Sequence, residues 1–182
     1  MDTERRADAD AINAEIIKTM KKHLSLCLGL LLFWSLPGVK AESFKVHPFT
    51  KGSFSQIKEQ NQNKPFVLVF WSETCGYCMK ELTMFGRLQK QFPDVKLVTV
   101  STDSFTPEET VKEVMEHCKL EVTDAWVFAE QFPEMVYADV SRRWRGELPV
   151  THFFDRDHQE TRHLGIVREK ELVAWLEVQS QI

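Results

Sequence analysis

The distribution of apolar residues separates an N-terminal leader from a folded region. Leu24–Leu36 is a run of 13 uncharged, mostly apolar residues, whereas beyond Glu42 the apolar positions recur in short periodic groups. A helix needs about 20 apolar residues to span a bilayer, so this run is short for a permanent anchor. Basic residues precede it and the small residues Val39 and Ala41 follow it. This layout predicts a secretory signal peptide cleaved after Ala41, with an uncleaved N-terminal anchor as the alternative.

Residues 1–19 do not resemble the basic start of a signal peptide, because they hold five acidic and three basic residues. Met20 is followed directly by two lysines, so we expect translation to begin there. Detection of residues 1–19 in the unprocessed precursor by mass spectrometry would contradict this start. We therefore predict an N-terminal extension and secretory signal peptide over residues 1–41, and a single domain over residues 42–182.

Within residues 42–182 the apolar pattern alternates between strands and helices. Phe66–Trp71 is a continuous apolar run that predicts a strand buried on both faces, and the period of Cys75–Phe92 predicts an amphipathic helix. Thr106–Glu109 is typical of a capping box that opens a further helix. The remaining predicted elements are a short helix after Gly52, strands over Val95–Val100, Trp126–Phe128, Val150–Phe154 and Glu160–Leu164, and helices over Thr106–Cys118, Pro133–Trp144 and Glu169–Gln179. This alternation predicts a layered α/β domain with parallel strand pairs.

Composition and charge exclude several classes of protein. With 43% hydrophobic residues, 13 Phe and 5 Trp, the chain has ample apolar material for one core, which excludes a disordered or collagen-like protein. The formal net charge is −4, and residues 42–182 hold 17 Lys and Arg against 22 Asp and Glu. This balance argues against nucleic acid as a partner. Four cysteines are too few for a disulfide-rich scaffold, so their positions matter more than their number.

Cys75 and Cys78 form a Cys-Gly-Tyr-Cys motif after the predicted buried strand and at the start of the predicted helix. Residues i and i+3 share a helix face, so the two sulfur atoms can meet. Unpaired amides and the helix dipole favour an anion at this end, which predicts a stabilised thiolate at Cys75. Cys78, one turn deeper, is placed to resolve a mixed disulfide. A static disulfide and half of a zinc site are the alternatives, although no second CxxC or nearby HxxxH supplies further ligands.

Two segments resemble those of the thioredoxin-fold thiol–disulfide oxidoreductases. Phe70–Cys78 is similar to their active-site segment, and Gly146–Asp155 is similar to the segment that carries their cis-proline. Within this superfamily the chain resembles the exported TlpA-like branch, which includes the thiol reductases of cytochrome c maturation. Cys78–Glu81 matches the Cys-x-x-Glu extension of that branch. The 70 residues between Cys78 and Pro149 leave room for an extra helix near Thr106–Cys118, which plain thioredoxin lacks.

The resemblance implies a fold and a function for residues 42–182. The expected fold is an α/β thioredoxin fold, with a central mixed sheet flanked by helices and a helical insertion between the CxxC helix and the cis-proline strand. The expected function is that of a periplasmic thiol–disulfide oxidoreductase that reduces or isomerises disulfides of exported proteins. It needs no cofactor beyond the Cys75–Cys78 disulfide. Its expected partners are cysteine-containing exported proteins and a membrane thiol electron carrier.

The resemblance also implies roles around the motif. A cis Leu148–Pro149 bond would place a residue without an N–H against the sulfurs, while the Leu148 backbone is offered to a substrate strand. The alternative for Pro149 is an ordinary proline at the start of a strand. Gly76 and Tyr77, between the cysteines, are expected to contact substrate. Trp71 is assigned to the same substrate face, although packing that shields the site is favoured over a specific contact.

Glu81 is the candidate proton acceptor for Cys78, because the two residues are helix neighbours and partial burial would raise the pKa of the carboxyl. The alternative is a solvated surface glutamate. Val69 stands where thioredoxin has a buried Asp, so another base is needed here. Thr74 and Val150 also depart from the usual residues of the branch. These departures leave the direction of electron flow open, with a dithiol oxidase as the alternative function.

The other cysteines and the histidines are expected to be structural. Cys27 leaves with the leader, and Cys118 lies on the apolar stripe of its helix, although an intermolecular disulfide is an alternative for it. His152, His158 and His163 are expected to be structural or exposed. A peroxiredoxin is disfavoured because its Pro-xxx-Thr/Ser-xx-Cys motif is broken by Leu68, and a copper chaperone would need wider cysteine spacing. A non-enzymatic binding module that uses the cysteines as a tether remains a competing class.

Overall fold

Six strands form one mixed sheet in the computed structural model, which describes residues 44–122 and 124–180. The strands are β1 (Lys45–Phe49), β2 (Phe66–Trp71), β3 (Lys96–Ser101), β4 (Asp124–Phe128), β5 (Val150–Phe154) and β6 (Glu160–Leu164). Their order in the sheet is β1-β4-β3-β2-β5-β6. The first four are parallel to one another, whereas β5 runs antiparallel to both β2 and β6.

The strand register brings several chain segments to one end of the sheet. Trp71 at the end of β2 pairs with Ser101 at the end of β3, and Phe70 pairs with Val150 at the start of β5. Val150 in turn pairs with Leu164, the last residue of β6. The loops after β2, β3, β4 and β6 and the loop before β5 therefore meet at this end, which we call the carboxyl rim.

Five helices cover the two faces of the sheet. They are α1 (Ser53–Gln60), α2 (Gly76–Leu88, continued by a 3-10 turn over Gln89–Gln91), α3 (Glu108–His117), α4 (Pro133–Val140) and α5 (Glu169–Ser180). Alternate residues of β2 enter different core clusters, since Val69 packs with α2, α3 and α5 while Leu68 packs with α1 and α4. All six residues of β2 are buried, which confirms the prediction of a strand buried on both faces.

The predicted central sheet with flanking helices and an inserted helix is confirmed. The inserted helix, α3, follows β3 and precedes the cis-proline strand. The same segment also holds β4 and α4, and β4 lies between β1 and β3 in the sheet. The insertion therefore adds a strand to the sheet as well as a helix to its surface.

Three local predictions are wrong. The expected capping box does not form, because the Thr106 hydroxyl donates to the Asp103 carbonyl (2.6 Å) and no side chain caps α3. The helix predicted over Pro133–Trp144 ends at Val140, since Ser141 is extended. The sequence analysis also missed β1, whose fourth residue, Pro48, is tolerated because the strand lies at the edge of the sheet.

Within residues 44–122 and 124–180, every helix is too short or too polar to cross a membrane. The predicted leader and its Cys27 lie outside the described residues, as does the predicted start at Met20. The proposed cleavage after Ala41 therefore stays a prediction.

Gly86 lets α2 lie directly against the turn after α3. A Cβ atom at Gly86 would lie 2.0 Å from the Cys118 carbonyl oxygen and 2.9 Å from that of Lys119. Gly86→Ala should therefore lower the free energy of unfolding by about 2 kcal/mol, although alanine is the better helix former. Gly76→Ala is the control, because a Cβ there meets nothing within 4 Å. Urea denaturation that gives both variants equal stability would contradict the close contact.

Candidate active site

The loop between β2 and α2 is held by the neighbouring chain. The Thr102 amide donates to the Trp71 carbonyl (2.8 Å), and the Asp103 carboxylate accepts from the Glu73 amide (2.8 Å). The Cys75 amide donates to the carbonyl of Ser72 (3.1 Å), within the same loop. The segment after β3 therefore positions the residues that lead into the Cys75–Cys78 motif.

Cys75 and Cys78 form a disulfide across the first turn of α2, with their Cα atoms 5.2 Å apart. Cys75 is the N-cap residue, and its sulfur accepts a hydrogen bond from the Cys78 amide (3.1 Å). A helix N-terminus stabilises negative charge, so this position favours a thiolate after reduction. Cys75 is half-buried, whereas Cys78 is 0% exposed. An external disulfide can therefore reach Cys75 and not Cys78.

The segment before β5 lies at the same end of the sheet. The peptide bond between Leu148 and Pro149 is cis, and the Pro149 carbonyl accepts from the Gly165 amide (2.8 Å). Leu148 is half-buried and packs against the same core cluster as Cys75. The structure thus brings together the cysteines, Leu148 and Pro149 at the carboxyl rim.

Residues around the disulfide divide into exposed and buried ones. Gly76 is exposed, and Tyr77 is 63% exposed with the Lys80 ammonium 5.3 Å from its ring centre. Trp71, in contrast, is fully buried in the core cluster that contains Cys78. Its burial leaves little side-chain surface for a substrate, which favours the packing role over a substrate contact.

Glu81 is fully buried, which overturns the alternative of a solvated surface residue. One carboxyl oxygen accepts from the Val167 amide (3.0 Å), and the other accepts from the Thr151 hydroxyl (3.3 Å). Burial raises the pKa of Glu81 to about 7, although these two hydrogen bonds act in the opposite direction. The carboxyl therefore changes its protonation state near neutral pH.

The Glu81 carboxyl is bound next to Val69, the position at which thioredoxin has a buried Asp. Thr151, which binds this carboxyl, pairs with Val69 across β5 and β2. Glu81 thus reaches from α2 to the part of β2 where thioredoxin carries its own acid. Neither Thr151 nor Val167 was singled out from the sequence. For Thr151 the available signal is its position two residues after Pro149, since residues i and i+2 of an extended chain face the same side.

The third cysteine of the folded region is buried. Cys118 is a free thiol that accepts a hydrogen bond from the Thr83 hydroxyl (3.7 Å), and burial raises its pKa. This placement agrees with a core cysteine and leaves the sulfur inaccessible to another chain. The buried His152 lies 2.7 Å from the carboxylate of Glu160, and His158 contacts the Asn61 carbonyl (2.8 Å).

No group of metal-ligating side chains is present in the described part of the chain. His163 lies 3.2 Å from the Ile166 carbonyl, in a local contact after β6. All three histidines therefore have contacts within the fold, as the sequence analysis expected.

Several solved structures with the same fold are thiol–disulfide oxidoreductases or interchange proteins. A secreted disulfide oxidoreductase of Mycobacterium tuberculosis, homologous to E. coli DsbE, is 19% identical with a TM-score of 0.53, over 66% of this chain and 85% of that one. A thiol:disulfide interchange protein of Chlorobium tepidum is 14% identical with a TM-score of 0.53, over 68% and 85%. A secreted thiol–disulfide isomerase of Corynebacterium glutamicum is 16% identical with a TM-score of 0.53, over 67% and 72%.

These neighbours confirm the thioredoxin fold predicted for this chain. A search of curated proteins found no match. The model of the AhpC/TSA family matches residues 37–178, which include both cysteines of the motif, Glu81 and the cis-proline. The chain therefore belongs to the AhpC/TSA family.

Proposed function

We propose that this protein is an exported, periplasmic thiol–disulfide oxidoreductase that reduces or isomerises disulfides in other exported proteins. The observation that carries the proposal is the asymmetry of the motif. Cys75 is half-buried at a helix N-terminus, whereas Cys78 is fully buried one turn below it. Attack by a thiolate and resolution by a second, shielded thiol need this arrangement.

The proposed reaction starts from the reduced dithiol. The Cys75 thiolate attacks one sulfur of the client disulfide, forms a mixed disulfide and expels the other client sulfur as a thiolate. The Cys78 thiolate then attacks the Cys75 sulfur, which releases the second client sulfur and leaves the Cys75–Cys78 disulfide seen here. Two electrons pass to the client, and an external dithiol, such as a membrane thiol carrier, must restore the enzyme.

The surroundings support roles for three further residues. Glu81, with its raised pKa, accepts the proton of Cys78 before the resolving attack. Pro149 offers no N–H near the sulfurs. Within the described residues no hydrogen bond uses the Leu148 amide or carbonyl, which leaves both for a client strand.

A peroxidase remains disfavoured within this family. The position where that class needs the proline of its motif, seven residues before the cysteine, is Leu68, which is fully buried in the centre of β2. Net reduction rather than oxidation is favoured by the resemblance to the TlpA-like branch, because its members generally supply electrons. The predicted signal peptide and this resemblance support a periplasmic location and apocytochrome or other envelope clients.

The reduction potential of the Cys75–Cys78 pair tests the direction of electron flow. Equilibration of the full chain with glutathione or dithiothreitol should give a reduction potential of about −270 mV, as for a reductant such as thioredoxin. A reduction potential of about −120 mV would indicate an oxidant and overturn the proposal of net reduction. Cys118→Ser is the control, and its potential should equal that of the unmodified chain because Cys118 is buried and unpaired.

A further inference from the structure

Exposed apolar side chains are concentrated at the carboxyl rim. The described residues include seven large apolar side chains that are well exposed: Tyr77, Phe105, Phe132, Met135, Leu164, Ile166 and Val178. All of them except Val178 lie at the rim, in its loops, at its helix starts or, for Leu164, at the end of β6. Contiguous exposed apolar surface is uncommon on monomeric proteins and marks interaction sites.

Three of these residues form a group that the inserted segment contributes, and we call it the outer patch: Phe105, Phe132 and Met135, which are 61%, 67% and 59% exposed. The Phe105 amide donates to the Phe128 carbonyl at the end of β4 (2.8 Å). The Ser104 hydroxyl donates to the Glu130 carbonyl (3.0 Å), which joins the loops after β3 and β4. These bonds hold the loop that carries Phe105 next to the loop that leads to Phe132 and Met135.

The outer patch is connected to the redox loop. Asp103, two residues before Phe105, accepts the hydrogen bond of the Glu73 amide next to the motif. The end of β4 lies two strands away from the end of β2, a distance of about 10 Å. An extended chain advances about 3.3 Å per residue. A client whose cysteine meets Cys75 thus places a residue three or four positions away over the outer patch.

The negative charge around the outer patch argues against an anionic membrane and against a second copy of this chain as its occupant. Glu134 lies between Phe132 and Met135, and the carboxylates of Glu134 and Asp103 both act on Tyr137, whose pKa is raised mainly by burial and then by these charges. Acidic groups repel an anionic lipid surface. A second copy of this chain, docked through the same patch, would bring these carboxylates together.

We propose that the outer patch binds apolar side chains of an unfolded client segment, three to four residues from the cysteine that Cys75 attacks. This inference rests on the proposed function and specifies its substrate class. A folded protein buries its large apolar residues, so an apolar side chain that is accessible beside a disulfide marks a non-native chain. The outer patch thus selects incompletely folded clients over folded ones.

Two matched peptides test this inference with the full chain. Each peptide contains one disulfide, with either leucine or serine at the third and fourth positions on both sides of the attacked cysteine. The pre-reduced protein should reduce the leucine peptide about tenfold faster than the serine peptide in a single turnover. The double variant Phe132→Ser, Met135→Ser should lose this preference and keep the rate with the serine peptide. Val178→Ser, an equally exposed apolar position outside the rim, should keep the preference.

The outcomes separate the two proposals. If the unmodified chain reduces neither peptide, the proposed function fails. If it reduces both peptides equally, or if the double variant keeps the preference for leucine, the proposed function stands and the client-binding patch is wrong. Sedimentation of the unmodified chain and the double variant tests self-association. If the unmodified chain is a dimer and the double variant is a monomer, the outer patch is a self-association surface and the inference is overturned.

Discussion

Cys75→Ser should reduce the rate of disulfide exchange by about a thousandfold or more, because it removes the only sulfur of the motif that a client can reach. Cys75 is half-buried at the helix N-terminus, and Cys78 beneath it is 0% exposed. Cys78 therefore cannot replace Cys75 as the attacking group. Reduction of a model peptide disulfide, driven by an external dithiol, measures the loss.

Two further variants make this result specific. Cys118→Ser should keep the unmodified rate, because Cys118 is a buried free thiol outside the motif. Cys78→Ala should accumulate a mixed disulfide between Cys75 and the client, visible on a non-reducing gel, because the resolving sulfur is missing. If the unmodified chain shows no turnover while it still binds clients, the cysteines act as a tether in a binding module, and the proposed enzymatic function is refuted.

Glu81→Gln should raise the stability of the oxidised protein above pH 7 by about 3 kcal/mol. The folded-state pKa of Glu81 is about 7, against an ordinary value of 4.5, and each pKa unit corresponds to about 1.4 kcal/mol. Folding favours the protonated carboxyl, so the unmodified protein loses stability as pH rises from about 4.5 to 7. Glutamine stays neutral and still accepts from the Val167 amide, so this loss disappears.

Urea denaturation at pH 5 and pH 8 measures this difference. The unmodified chain should be less stable at pH 8 by this contribution, whereas Glu81→Gln should show a correspondingly smaller change. Glu73→Gln is the matched control for a glutamate-to-glutamine change, because Glu73 is exposed in the loop before α2. An identical pH dependence in Glu81→Gln and the unmodified chain would refute the raised pKa.

The same variant separates the two chemical steps. Without the carboxylate, the Cys78 thiol loses its proton acceptor, so resolution of the mixed disulfide should slow by about a hundredfold at pH 7.5. The initial attack by Cys75 should keep its rate. In the unmodified chain the resolving rate should rise with pH through about 7, as Glu81 ionises, and this inflection should vanish in the variant. Equal resolving rates in both proteins would leave Glu81 with a structural role alone.

The parts of the fold that sequence predicts well are those with a strong local signal. The apolar run Phe66–Trp71 and the motif at Cys75–Cys78 need only neighbouring residues to be interpreted. In contrast, β1 contains Pro48 and exists because it pairs with β4, almost 80 residues away. The missing cap of α3 has a local cause that the motif does not reveal, because the Thr106 hydroxyl donates to the Asp103 carbonyl instead.

The environment of Glu81 shows the same limit at the candidate site. Its helical spacing from Cys78 identifies it as a candidate, and burial then decides between a base and a surface residue. That burial comes from Thr151 and Val167, which lie 70 and 86 residues away along the chain. No pattern within the sequence of α2 contains this information.

The two outer strands of the sheet affect how this protein behaves among the chains it handles. An unpaired strand edge can template aggregation unless proline or charge blocks it. Pro48, the fourth residue of β1, lacks an amide proton, and Glu160 and Arg162 place charges on β6. Clients with exposed apolar segments are themselves prone to aggregate. Because both edges resist strand addition, the protein can meet such chains at its redox motif without seeding co-aggregates along its sheet.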